Sequence, residues 1–225
     1  FIRKYQEERE LSTLFICDIW SNMQFWIWEK TKLDTLLEAF YILGFSSLKN
    51  NDKIWAYFFD SNVEFNIHTK KWQSNVWLII DKILYYTKTN NPSSSDINIV
   101  LKELYNKKIK NNLLFIFSDE YENLDEKYFK ALAIKNDIVF INIFDDFENN
   151  LDNTWIYNLI WKNSSVYIDI KDDKKKKEYI DKRNEKKLLF KKKILNLGWS
   201  YLEITNSTNI YQTLYKFFKL RQTIR

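Results

Sequence analysis

Leu14-Phe15-Ile16-Cys17-Asp18-Ile19-Trp20-Ser21-Asn22-Met23 is an apolar run that stops at an aspartate and continues into small polar residues. That is the pattern of a buried parallel strand whose carboxyl end opens into a site. In open α/β sheets ligands bind at that end. The pattern recurs downstream, where Leu113 to Phe117 stops at Ser118-Asp119 and Ile138 to Phe144 stops at Asp145-Asp146. Two buried strands thus deliver Asp18 and Asp119 to one sheet edge.

Helical periodicity fills the intervals. Leu33, Leu36, Leu37, Phe40, Tyr41 and Leu43 predict a helix over about 31–48, and Trp72, Val76, Ile79, Ile80, Ile83 and Leu84 a second over 72–86. Ser95 or Asp96 caps a third helix reaching about Lys108, and a fourth runs from Leu124 to about Asn136. Lys53 to Phe59 reads as a strand ending at Asp60. Val63, Phe65 and Ile67 alternate with polar residues as its antiparallel hairpin partner across Asp60-Ser61-Asn62. Trp155 to Trp161 and Val166 to Ile170 predict a peripheral hairpin. They are followed by a long charged helix from Lys174 to about Leu197, a short strand at Tyr201 to Thr205 and a closing helix over Thr208 to Leu220. Phe1 to Glu10 is an extended lead-in. Strands alternating with helices at this spacing predict an α/β fold, a doubly wound and mostly parallel central sheet with one antiparallel edge strand. The 225 residues suit one such domain, 1–225 with a lead-in over 1–12.

Composition narrows the function. With 45% apolar and 18% aromatic residues the chain is globular. The 35 Lys and Arg against 30 Asp and Glu are interspersed, which is the mark of a solvated surface rather than a nucleic-acid groove. The lysines between Lys174 and Lys193 form the one strongly basic stretch. A solvated helix face is the default reading there, an acidic partner or phosphate backbone the alternative. Gly44 and Gly198 are isolated, so no phosphate-cradling or dinucleotide loop exists. His68 is the single histidine and Cys17 the single cysteine, which removes zinc clusters, Ser-His and Cys-His nucleophile systems and an internal disulfide. No apolar run approaches the ~20 residues that cross a bilayer, and no signal peptide is evident. A cytoplasmic location is expected for this segment. The start at Phe1 rather than Met leads us to expect an excerpt from a longer protein, which leaves a membrane anchor upstream open.

Asp18 and Asp119, with Ser95 from the intervening loop, offer oxygen ligands suited to a hard cation such as magnesium. The bland alternative is that each caps a helix or turn. Trp20, followed by Met23, Phe25, Trp26 and Trp28, is a protein-contact anchor if it stands on the rim and ordinary core if it turns inward. We expect it on the rim or partly buried.

Several fragments in fixed order resemble a bacterial family of unknown function, the domain-of-unknown-function family fifty-eight, whose members hold a von Willebrand factor A-like domain. They are Ile2-Arg3-Lys4-Tyr5-Gln6-Glu7-Glu8-Arg9-Glu10-Leu11, Asp18-Ile19-Trp20-Ser21-Asn22-Met23, Asn51-Asp52-Lys53-Ile54, Ser95-Asp96-Ile97, Phe117-Ser118-Asp119 and Leu197-Gly198-Trp199-Ser200-Tyr201-Leu202. The resemblance implies a Rossmann-type three-layer fold carrying a metal-ion-dependent adhesion site, in which one loop supplies Asp-x-Ser-x-Ser, a second a Thr and a third an Asp. The matching positions are Asp18, Trp20, Asn22, Ser95 and Asp119. Asp18, Asn22, Ser95 and Asp119 keep oxygens while Trp20 has none, so the site is expected to be degenerate, with magnesium or manganese bound weakly at most. The resemblance further implies a non-enzymatic adaptor or chaperone-like partner of a MoxR-type AAA ATPase. We expect the contact to run through Trp20, Ser21, Met23, Ser95 and Asp119, and expect no nucleic acid and no membrane in this segment. The rival expectation is a metal-dependent phosphoryl-transfer enzyme or nuclease using Asp18, Asp119 and Asp60 or Asp96.

Overall fold

The computed structural model describes residues 12–24, 30–69, 73–90, 94–119, 124–148, 156–161, 164–169 and 173–224. The apolar run forms β1 (Ser12–Asp18), buried from Thr13 onward. A strand apolar on both faces belongs at the centre of a sheet covered on both sides. β1 pairs in parallel with β2 (Lys53–Phe59) and with β4 (Asn112–Ser118). Outward from these lie β3 (Val63–Thr69), antiparallel to β2, then β5 (Asp137–Phe144) and β8 (Ser200–Thr205), both parallel, giving the order β3-β2-β1-β4-β5-β8. The fold is the expected one: a mostly parallel, doubly wound sheet with one antiparallel edge strand. The expected hairpin forms a separate two-stranded antiparallel sheet of β6 (Ile156–Trp161) and β7 (Ser164–Asp169). The lead-in over Phe1 to Glu10 and the aromatics Phe25, Trp26 and Trp28 lie outside the described residues.

Three helices cover each face. On one, α1 (Lys32–Lys49), α2 (Gln73–Thr89) and α6 (Ile210–Ile224) enclose a core around Phe15, whose ring lies 4.7 Å from Phe40 and 5.4 Å from Phe115. On the other, α3 (Ile97–Asn106), α4 (Glu126–Ala133) and α5 (Asp173–Asn196) bury Leu104, Phe129 and Ile194 against the alternate residues of the same strands. Trp199 stacks on Phe129 at 3.9 Å between ring centroids. The chain reaches β8 through Gly198, whose φ of 78° is a left-handed conformation that glycine adopts without a Cβ penalty. No helix among the described residues is long and apolar enough to cross a membrane.

Several helix ends differ from the periodicity by a few residues, and side chains explain two of them. α4 stops at Ala133 because the Asn136 amide turns back to the carbonyls of Leu132 and Ile109 and leads directly into β5. α6 starts at Ile210 rather than Thr208. The Thr208 hydroxyl instead accepts the Thr205 N–H, and Asn209 accepts that of Gln212 at the helix start.

Phe15 fills the junction of α1, β1 and β4, so Phe15→Ala is expected to lower unfolding free energy by about 3–5 kcal/mol through the cavity it leaves. Urea unfolding followed by circular dichroism measures it, and a loss under about 1 kcal/mol would contradict the packing described.

Candidate functional site

The register that pairs Cys17 with Phe117 ends β1 and β4 side by side, so Asp18 meets Ser118 and the chain delivers Asp119 next to it. Asp18 is fully buried. Its Oδ2 accepts the hydroxyls of Ser95 and Ser118, each at 2.8 Å, and its Oδ1 accepts the Trp20 N–H at 3.3 Å. Ser95 is available for this because Asp96, not Ser95, caps α3 through the Asn98 N–H. Burial pushes the Asp18 carboxyl well above its ordinary range, the Asp119 charge adds to that, and the three donors pull the other way.

Asp119 is served differently. Its Oδ1 accepts the Trp20 indole N–H at 2.9 Å, while its Oδ2 accepts the Asn22 amide at 2.5 Å and the Lys32 ammonium at 2.7 Å. Lys32 is 1% exposed and also pairs with Glu148, whose second oxygen pairs with Arg183 of α5. Burial by itself would lower the Lys32 pKa, but the Asp119 and Glu148 carboxylates outweigh it and hold the ammonium above its ordinary value. Lys32 reaches this position from the first residue of α1, fixed by a capping box in which Thr31 Oγ1 accepts the Asp34 N–H and Asp34 accepts the Thr31 N–H. Among the described residues no group of three or more His, Cys, Asp or Glu side chains is arranged to hold a metal ion.

The family model for a protein of unknown function, DUF58, matches residues 1–188. The chain belongs to the DUF58 family. No curated protein sequence matches it. Among solved structures, the DUF58 chain is similar to the conserved hypothetical protein BatB from Bacteroides thetaiotaomicron at 13% identity and a TM-score of 0.50, with 93% of this chain and 99% of that chain covered. It is also similar to the SpRpn10 VWA domain at 11% identity and a TM-score of 0.53, covering 92% of this chain and 94% of that one. At these identities the likeness concerns the fold, which is that of a von Willebrand factor A-like domain.

The strand-end set Asp18, Asn22, Ser95 and Asp119 is thus brought together in the DUF58 domain. Trp20 requires a correction. It is 3% exposed and not on the rim, because its indole N–H finds a buried carboxylate acceptor and its ring joins the core with Met23. Met23 is fully buried, held in the turn Ser21–Gln24 by the bond from its N–H to the Trp20 carbonyl, whereas Ser21 and Asn22 are half-buried. Asp60 is engaged elsewhere, accepting the Tyr86 hydroxyl at 2.7 Å and the Asn62 N–H at 3.0 Å.

Lys32, Ser118, Glu148 and Arg183 were not singled out from the sequence. One signal existed for Lys32: a cation in the first turn of a helix opposes the macrodipole, so a lysine there is a sign of employment elsewhere.

Replacing Ser95 or Ser118 by Ala removes a donor from a buried carboxyl group and is expected to cost about 1–3 kcal/mol each in urea unfolding. The Asp18 carboxyl also has a sign-defined pH signature. A folded pKa raised above the unfolded value of about 4 gives stability that is present below that pH and lost as pH rises through the folded value. The stability of the native chain minus that of Asp18→Asn should therefore shrink as pH rises from about 4. A difference that grew with pH would contradict the assignment.

Proposed function

We propose that this DUF58 domain is a non-enzymatic protein-interaction module with a degenerate metal-ion-dependent adhesion site, serving as an adaptor of a MoxR-type AAA ATPase. Domains of this fold commonly mediate protein interactions, and the family resemblance supplies the ATPase as the candidate partner. The observation that carries the degenerate reading is the bond from the Trp20 indole to Asp119. A divalent cation needs oxygen lone pairs directed at it. Here the groups facing Asp119 are an indole N–H, an amide N–H and an ammonium, none of which offers a lone pair to a metal. These groups occupy the side of Asp119 from which a cation would be bound, which supports weak or no binding of magnesium or manganese.

The same geometry weighs against metal-dependent phosphoryl transfer. That chemistry calls for converging carboxylates with Trp20 turned away. Trp20 turns inward, Asp60 is held by Tyr86, and Asp96 caps α3.

In this reading the contact face is the polar rim of the strand-end loops, with the half-buried Ser21 and Asn22 after β1 and the exposed Ser61, Asn62 and Asp96 after β2 and before α3. Trp20, Met23, Ser95 and Asp119 lie beneath it and set its shape. Biolayer interferometry of the purified domain on the nucleotide-free MoxR-type ATPase of the same organism tests the reading, run with EDTA and with manganese. Affinity is expected to be the same in both, and Ser21→Arg is expected to weaken it at least about tenfold. Binding abolished by EDTA, or saturable sub-millimolar manganese binding by calorimetry, would sink the degenerate-site reading. Failure of the ATPase to bind at all would remove the partner.

A further inference from the structure

We infer that the Lys32 ammonium is the resident cation of the strand-end site, built into the chain in place of an exchangeable divalent ion. The inference deepens the degenerate-site reading and rests on it.

Four observations converge. The ammonium is 2.7 Å from Asp119 Oδ2 and also pairs with Glu148, so it links the loop after β4 to the short helical turn after β5. It is 1% exposed, and a buried cation is retained only where carboxylates compensate its lost hydration. Its position works against its own helix, because the first turn of α1 is the positive end of the macrodipole. Finally, the cluster balances. Asp119 and Glu148 carry two negative charges, Lys32 and Arg183 two positive ones, and Asp18 is served by two hydroxyls and a backbone N–H without a further cation.

A divalent ion at such an edge is exchangeable and can bind a partner's carboxylate at an open coordination position. The Lys32 ammonium does neither. It is covalently present at every ion concentration, and at 1% exposure, with two of its three N–H donors on carboxylates, it is closed to an incoming acid. The loops after β1, β4 and β5 are therefore tied together permanently. Removing the lysine would leave the Asp119 carboxylate without a cationic partner and the Glu148 carboxylate with Arg183 alone, an arrangement that attracts a divalent cation.

Thermal unfolding of the native chain, Lys32→Met and Lys32→Ala tests this, each with EDTA and with millimolar manganese chloride at matched ionic strength. The native chain is expected to unfold at the same temperature in both. Lys32→Met keeps an apolar stem and loses the charge, and its midpoint should fall by about 6–15 °C. Lys32→Ala should fall similarly and recover in part with manganese, since an ion that binds only the folded state raises the midpoint. Asp119→Asn in the Lys32→Ala background should abolish that recovery.

A Lys32→Met midpoint within about 2 °C of native, or a Lys32→Ala chain that folds but ignores manganese, overturns the inference. If Lys32→Ala does not fold in EDTA, refolding with manganese supports the inference and failure to refold with it overturns it. In the native chain, a slowly exchanging lysine ammonium signal with 15N-lysine labelling is expected, and its absence counts against a sequestered ammonium. A manganese-dependent shift of the native chain would instead overturn the degenerate-site reading beneath.

Discussion

Two parallel strands that end in carboxylates at one dry sheet edge create an electrostatic debt that the rest of the site exists to cover. An uncompensated carboxylate there would cost several kcal/mol even after relaxation (about 3–5 when a buried pair is broken). Asp18 is satisfied by neutral donors, Ser95, Ser118 and the Trp20 N–H, and burial still pushes its carboxyl upward. Asp119 receives an ammonium as well as two neutral N–H donors. The difference follows from placement: Lys32 at the start of α1 reaches Asp119, and Asp18 lies deeper behind the two serines.

The fold and the chemistry of its edge are separable. Helices on both faces and the β3-β2-β1-β4-β5-β8 order rest on apolar residues far from the edge, such as Phe15, Phe40, Leu104 and Phe129. That framework is shared with BatB and the SpRpn10 VWA domain at only 13% and 11% identity, so it constrains the sequence weakly. The loop residues are free to change the chemistry of the edge while the sheet stays as it is. Trp20 illustrates the freedom. Its ring adds core contacts and its N–H adds a bond to Asp119, so a position on a strand-end loop contributes to packing.

The central strands were readable in the sequence because a sheet covered on both faces leaves continuous apolar runs, and both Leu14 to Cys17 and Leu113 to Phe117 have them. The meeting of Asp18, Ser95 and Asp119 was readable for the same reason, since parallel strands present their carboxyl ends together. Trp20 was not. Whether an indole turns inward depends on an acceptor, and that acceptor is 99 residues away in the chain. Arg183 was hidden by its surroundings: α5 is so rich in charge that one half-buried ion pair looks like any solvated residue. Glu148 stands in the turn after β5, where Asp145-Asp146 drew attention and the residue that pairs with Lys32 did not.

The sharing of Glu148 between Lys32 and Arg183 has a consequence for how the domain is held together. A carboxylate with two cationic partners, one on α1 and one on α5, joins helices from opposite faces of the sheet across its carboxyl edge. Each cation lowers the cost of burying Glu148 and so favours the other's placement, a coupling characteristic of charged networks. α5 has few buried apolar residues, Phe190 and Ile194 among those described, and for a 24-residue helix that is a thin anchor. The Arg183 contact supplements it near the middle of the helix, about two turns before Phe190. The edge that carries the site is therefore also a fastening point for the longest helix of the fold.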